Sequence, residues 1–280
     1  MKEDIAGAIL NKLDGQEKEE GSLPLLLDFY RGLVRLQSAV RERIAPPLPA
    51  PDRDSARARI SEGRPLLAAG ELDLDWPLVQ DVFSQVRALF SAYPRLFGEA
   101  VARLPAAGTL TREAVDAWFA GNTLPPVIVD GIGEKLMLAV IQATMQPFLS
   151  VYSQAVMDFV EQERWRRGYC PVCGGSPDLA FLKGDVGARW LLCSRCDTPW
   201  LFQRLECPFC GSQEQPDLLF FTDASELYRL YVCERCKCYL KAIDLRKTQG
   251  DVPLPLERFF TLDLDTQARE RGYHACPDSR

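Results

Sequence analysis

The sequence predicts an α+β multidomain chain, an N-terminal α-helical bundle followed by two small β modules held together by metal. Three observations predict it. Apolar residues recur at three- and four-residue intervals through the first 168 residues. Beyond Gly168, short aromatic and β-branched segments alternate with Gly, Pro and Asp. All ten cysteines lie at or beyond position 170, eight of them in four Cys-x-x-Cys pairs. The expected divisions are a helical domain over 1–168, a first metal module over 169–205, a second over 206–246, and a C-terminal tail with a short helix over 247–280.

In the helical part, Ser22 caps a helix from Leu23 to Ile44, with Leu26, Phe29, Leu33, Leu36, Val40 and Ile44 on its buried side. The Pro-rich run from Ala45 to Pro51 cannot continue it and reads as an extended connector. Asp75 caps the next helix, Pro77 occupies its first turn, and Leu78, Val79, Val82, Phe83, Val86, Leu89, Phe90 and Tyr93 trace one apolar face up to Pro94. Thr111 caps a shorter helix carrying Val115, Trp118 and Phe119, and Gly121 ends it. A long helix, or a pair kinked at Pro147, is expected from Ile132 to Arg166, with Gly168 as its C-terminal cap.

That last helix holds 22 residues without a charge, Leu136 to Met157, enough to cross a bilayer. Gln142, Gln146, Gln154, Ser150, Ser153 and Pro147 would be costly in lipid, so the stretch reads as a core helix. The N-terminus has no apolar run of signal-peptide length, which makes the expected location cytoplasmic.

Strands are expected over Leu179 to Leu182, Ala188 to Leu192, Pro199 to Arg204, Leu218 to Thr222, Leu227 to Val232 and Tyr239 to Ile243. They punctuate an internal repeat. Cys170-Pro-Val-Cys173-Gly is followed after 19 residues by Cys193-Ser-Arg-Cys196, and Cys207-Pro-Phe-Cys210-Gly after 22 by Cys233-Glu-Arg-Cys236. In both copies a Gly follows the first pair, a hairpin separates the pairs, and an aromatic strand follows the second. This is the sequence form of a zinc ribbon or rubredoxin-like unit. Two intervening residues let a tight turn point both sulfurs at one ion, and two such turns complete a tetrahedral thiolate site.

Repeat symmetry assigns Cys170, Cys173, Cys193 and Cys196 to one metal ion and Cys207, Cys210, Cys233 and Cys236 to another, although the middle two pairs could in principle join. Four sulfurs suit zinc and mononuclear iron alike. A redox dithiol is the competing use of such a pair. Cys238 reads first as a buried strand residue, with a spare thiol near the metal and an alternative ligand as the other readings. His274, the one histidine, and Cys276 fall in a tail that reads as mobile and short of partners for a closed metal site.

A net charge of −6 describes an ordinary surface, and from Tyr169 to Arg246 nine Lys and Arg face ten Asp and Glu. A nucleic-acid-binding ribbon needs a basic stripe, so that class is disfavoured. A Ser-His-Asp triad would have to use His274, and no Gly-rich phosphate loop precedes a helix, so the chain does not read as an enzyme.

The stretches Tyr169-Cys-Pro-Val-Cys-Gly-Gly-Ser-Pro177, Arg189-Trp-Leu-Leu-Cys-Ser-Arg-Cys196, Trp200, Arg204-Leu-Glu-Cys-Pro-Phe-Cys210, Cys233-Glu-Arg-Cys236 and Tyr239-Leu-Lys241 resemble the formate dehydrogenase accessory protein (FdhE) family. Upstream, Leu72-Asp-Leu-Asp-Trp76, and downstream, Leu262-Asp-Leu-Asp265 and Gly272-Tyr273, extend the resemblance over most of the chain. It implies two rubredoxin-like modules on a helical domain, iron as the metal, a cytoplasmic location, and a maturation factor that binds the formate dehydrogenase catalytic subunit. All eight family cysteines are matched, whereas Cys238 and Cys276 are additional to the pattern. Trp190, Trp200 and Tyr231 are candidates for the client surface, although core packing is the expected role of each. A rubredoxin-like electron-transfer or redox-sensing protein is the competing function, and against an electron carrier stands the length of the helical part.

Overall fold

The computed structural model describes residues 5–14, 22–45, 52–68, 70–121, 124–129, 131–222 and 224–276. Beyond Ala45 the expected Pro-rich connector lies outside the described residues. Described helices are, in chain order, α1 Ile5–Asp14, α2 Ser22–Arg41, α3 Arg53–Glu62, α4 Trp76–Ser91, α5 Pro94–Phe97, α6 Arg112–Ala120, α7 Pro126–Val129, α8 Glu134–Val156, α9 Gln162–Trp165, α10 Leu254–Phe260 and α11 Leu262–Glu270. The strands are β1 Pro177–Lys183, β2 Ala188–Cys193, β3 Pro199–Leu201, β4 Leu218–Thr222, β5 Tyr228–Cys233, β6 Cys238–Asp244 and β7 His274–Ala275. The chain folds as two compact units, residues 1–49 with 68–155 and residues 50–67 with 156–280.

The first unit is helical. Asp75 caps α4 as its sequence demands, its carboxylate accepting from the Leu78 N–H at 3.2 Å, and Leu78, Val79, Val82, Phe83, Val86 and Phe90 are buried. Thr111 caps α6 in the same way through the Ala114 N–H, and Gly121 ends it at φ 73°. On α2 the buried face is turned from the one expected. Leu27, Phe29, Tyr30, Val34, Gln37 and Val40 face inward, while Leu26, Leu33, Leu36 and Ile44 are half-buried. The turn is possible because buried Gln37 donates to the Ala143 carbonyl at 2.9 Å, which satisfies a polar group in the core.

The long expected helix is broken into α8, a 3₁₀ turn at Met157–Phe159 and α9, with Pro147 inside α8. The run Glu134–Phe159 is long and apolar enough to cross a membrane, and 72% of its most apolar window is buried within the protein. Its polar groups are served locally: Thr144 donates to the Val140 carbonyl at 2.8 Å and Ser153 to that of Ser150 at 2.9 Å.

The second unit is built on one mixed sheet in the order β3-β2-β1-β6-β5-β4, with β7 added to β6. Each repeat supplies three consecutive antiparallel strands, β1 to β3 and β4 to β6. The repeats join through a parallel β1–β6 pair in which Leu179 faces Lys241 and Leu182 faces Asp244. Strands β1, β3, β4 and β6 therefore run in one direction, and the copies are related by translation along the sheet. Both pairs of cysteine turns consequently fall at the same end of it. Against the far face of β5, Leu230 and Val232 pack with Leu264 and Ala268 of α11 and with Tyr273.

Three segments depart from the expected divisions, and the shortest is residues 156–168, expected in the helical domain but part of the second unit. Residues 52–67, expected within the helical domain, belong to the second unit: Asp52 caps α3, Gly63 ends it, and Leu66 and Leu67 donate their N–H groups to the Pro171 and Val172 carbonyls at 2.9 and 2.8 Å. Carbonyls of a buried tight turn need donors, and this segment supplies them. The expected mobile tail is instead ordered as α10, α11 and β7, because Tyr228 donates to buried Glu257, Lys241 pairs with Asp265, and β7 pairs with β6.

Candidate metal centres

Four turns with one backbone geometry hold the cysteines. The residue after each pair, Gly174, Asp197, Gly211 or Lys237, is left-handed, at φ 75°, 58°, 69° and 58°. Each donates its N–H back to the carbonyl of the first cysteine of its pair, at 3.0, 3.3, 2.9 and 2.8 Å. Glycine adopts this conformation at no steric cost, which explains the Gly after Cys173 and Cys210. Asp197 and Lys237 adopt it at some cost.

Hairpin β1–β2 brings the first two turns together. Cys173 Sγ lies 3.4 Å from Cys193 Sγ and from Cys196 Sγ, and Cys170 Sγ lies 3.7 Å from Cys196 Sγ. The second repeat does the same, with Cys207 to Cys236 at 3.7 Å and Cys210 to Cys233 at 3.6 Å. In each cluster all four sulfurs lie within 4.8 Å of one another. A tetrahedron of sulfurs about 2.3 Å from a central ion has edges of about 3.8 Å, so both clusters suit metal binding. The grouping within each repeat, rather than between the middle pairs, follows from the hairpins.

Electrostatics agree with the geometry. Burial pushes the Cys193 and Cys196 thiols upward. It does the same to Cys207, and raises Cys236 to about 11. At Cys210 burial acts upward too, but the Ser212 N–H and the neighbouring thiols outweigh it and lower the value. Four crowded sulfurs cannot all ionise unaided, whereas a dication would stabilise the thiolates together. The Val172 and Arg195 N–H groups approach Cys170 and Cys193 Sγ at 3.4 Å, and Thr198 Oγ1 lies 3.0 Å from Cys196 Sγ.

The clusters differ in exposure. All four cysteines of the first are buried, while Cys210 and Cys236 of the second are half-exposed. The first also has a guard that sequence reading missed. Arg258 of α10 ion-pairs with Asp178 at 2.7 Å and Asp197 at 2.6 Å and donates to the Cys193 carbonyl at 2.7 Å. No local motif marks Arg258, because its partners lie more than sixty residues away. Gly168, expected as a helix cap, has another role: a Cβ there would meet the Pro208 carbonyl oxygen at 1.8 Å, so it permits close approach of the second cluster's first turn.

Of the aromatic candidates, Trp200 is buried and donates to the Arg167 carbonyl at 2.8 Å, and Trp190 stacks on Phe181. Tyr231 lines a cavity of 280 Å³ beside the second cluster, together with Cys207, Cys233, Arg189, Arg229 and Phe220. Burial lowers the Arg189 pKa to about 10, and the buried Nε atoms of Arg189 and Arg229 have no hydrogen-bond partner among the described residues. Next to the cavity, β4 forms the sheet edge with its last four residues exposed.

Comparison with known proteins places these features. The model of the FdhE central domain matches residues 169–204, which hold the whole first cluster. The chain is 27% identical to Protein FdhE homolog of Aquifex aeolicus (strain VF5), over 89% of this chain and 85% of the relative. It is 28% identical to Protein FdhE homolog of Rhizobium meliloti (strain 1021), over 88% of this chain and 81% of the relative. The crystal structure of the FdhE protein from Pseudomonas aeruginosa shares the fold, with a TM-score of 0.62 at 22% identity, covering 98% of this chain and 92% of that one.

Proposed function

We propose that this chain, which is similar to FdhE proteins along most of its length, is a non-enzymatic maturation factor that binds the catalytic subunit of a formate dehydrogenase in the cytoplasm. In this reading Cys170, Cys173, Cys193 and Cys196 hold one metal ion and Cys207, Cys210, Cys233 and Cys236 a second, iron or zinc. Each ion would staple two cysteine turns at one end of the shared sheet, so that metal binding and local folding are linked.

The observation that carries a binding role is the sheet edge at β4. Leu219 and Phe220 are 43% and 53% exposed there, and Leu205 nearby is 75% exposed. Proteins rarely leave an apolar edge strand uncovered, because it invites pairing with another chain. Such an edge recognises an extended segment through main-chain hydrogen bonds, with side-chain pockets adding specificity. The adjoining cavity, lined in part by Leu205, Leu219 and Phe220, suits an apolar side chain of such a segment.

The test is capture of the immature catalytic subunit by the whole chain and by Phe220→Glu, paired with formate dehydrogenase activity in cells lacking the accessory protein. Wild type captures the subunit and restores activity, and the variant loses at least tenfold in capture while keeping its metal. Equal capture by both removes β4 from the interface, and capture by neither rejects the client. A visible spectrum of anaerobically purified protein before and after dithionite separates iron from zinc and tests the electron-carrier alternative.

A further inference from the structure

We propose that Cys238, His274 and Cys276 form a third metal site, of zinc type with one open ligand position, that opens and closes with the redox state of the two cysteines. The three donors come from two segments of the chain and lie within 4.8 Å of one another. Strand β7 is what assembles them. It pairs in parallel with the start of β6, setting His274 opposite Cys238, and the His274 N–H donates to the Lys237 carbonyl at 2.9 Å. Side chains two apart on a strand share a face, so Cys276 joins His274 on the face that Cys238 presents. Cys238 Sγ lies 3.8 Å from His274 Nε2.

In the structure Cys238 and Cys276 are joined as a disulfide, with their Cα atoms 5.4 Å apart. A disulfide has no need of an imidazole, yet the one histidine of the chain is placed at this pair. Two thiolates and one imidazole are the protein ligand set of a zinc site that keeps its fourth position open. Cys238 is buried, Cys276 half-buried and His274 exposed, so the site sits at the protein surface, where an open position can reach solvent. The first two clusters differ, since each supplies four sulfurs and leaves no such position.

Closing the site is a thiol–disulfide exchange with a small-molecule disulfide. One cysteine thiolate attacks a sulfur of the oxidant, forming a mixed disulfide and releasing one thiolate. The second cysteine thiolate attacks the protein sulfur of that mixed disulfide, forming the Cys238–Cys276 bond and releasing the other thiolate. The two electrons leave on the two released thiolates. The metal ion, left with His274 alone, dissociates.

The experiment uses the full chain, reduced, loaded with zinc, desalted, and assayed for zinc per chain before and after oxidised glutathione. Reduced wild type should hold about one zinc more than Cys276→Ser or His274→Ala, and oxidised glutathione should remove that ion while peptide mapping shows the Cys238–Cys276 bond. The readout is a difference, so failure of the two four-cysteine sites would lower wild type and variants together and leave it intact. Equal zinc in reduced wild type and both variants overturns the site. An extra zinc that survives formation of the disulfide overturns the redox gate.

Discussion

At the scale of single residues, two glycines with different duties give a graded prediction. Gly211 needs its left-handed φ of 69° but has open space around it, so Gly211→Ala should cost about 1 kcal/mol from backbone conformation alone. Gly168 stands against the Pro208 carbonyl, so Gly168→Ala must move backbone and should cost more. Thermal unfolding of the metal-loaded variants measures both, and a Gly211→Ala loss equal to or above that of Gly168→Ala would contradict the assignment. Asp244 offers a charge test. It is fully buried and pairs with Arg246 at 2.6 Å and Arg229 at 3.0 Å. The hydrogen bonds from Arg246 hold its carboxyl below the ordinary range. Removing one member of a buried pair strands the others, so Asp244→Asn should destabilise by roughly 3 kcal/mol at neutral pH. A depressed carboxyl contributes stability that is complete above its unfolded value, about 3.9, and is lost as pH falls through the lower folded value. The gap between wild type and variant should therefore close only at the acid end, as denaturant melts across pH would show.

At the scale of elements, the same four-turn pattern yields two clusters of unequal shelter. Burial of all four sulfurs and the Arg258 clamp protect the first, while Cys210 and Cys236 leave the second open to solvent. A competing chelator should therefore strip the second site faster. Following metal release in Cys170→Ser and Cys207→Ser, each of which should lose about one ion, assigns the fast phase. Fast loss in Cys207→Ser, where only the first site remains whole, would contradict the order. The strands were legible in sequence because short aromatic and β-branched segments bounded by Gly, Pro and Asp coincide there with the Cys spacing, and β4 matches its expected span. The buried face of α2 was not, because Gln37 becomes a core residue only when the Ala143 carbonyl is there to receive it. Helix α10 was hidden for a similar reason, since its Glu257 is buried where Tyr228, 29 residues away, donates to it.

At the scale of the whole molecule, the cut between helical and metal-binding parts does not fall at one point in the chain. Residues 52–67 belong with the unit that holds the cysteine clusters, and Leu66 and Leu67 satisfy carbonyls of the first cysteine turn. A fragment of residues 156–280 should thus lose the first site's advantage, releasing that metal as fast as or faster than the second, and a peptide of residues 50–67 should restore the order. Chelator kinetics on the fragment with and without the peptide measure this. An unchanged order in the fragment alone would show that the segment is dispensable to the site.

What the sequence determined by itself is the local chemistry. Cys-x-x-Cys turns, their following glycines, the Asp75 and Thr111 caps and the hairpins between cysteine pairs are all set by residues a few positions apart, where spacing dictates geometry. Only the tertiary structure decided the rest. The parallel β1–β6 pair merges two repeats into one sheet, α3 returns to the first site, Arg258 reaches Cys193 from α10, and β7 carries His274 and Cys276 to Cys238. Each joins residues dozens of positions apart, and such contacts are chosen by which buried polar groups and sheet edges remain unsatisfied after the local structure has formed.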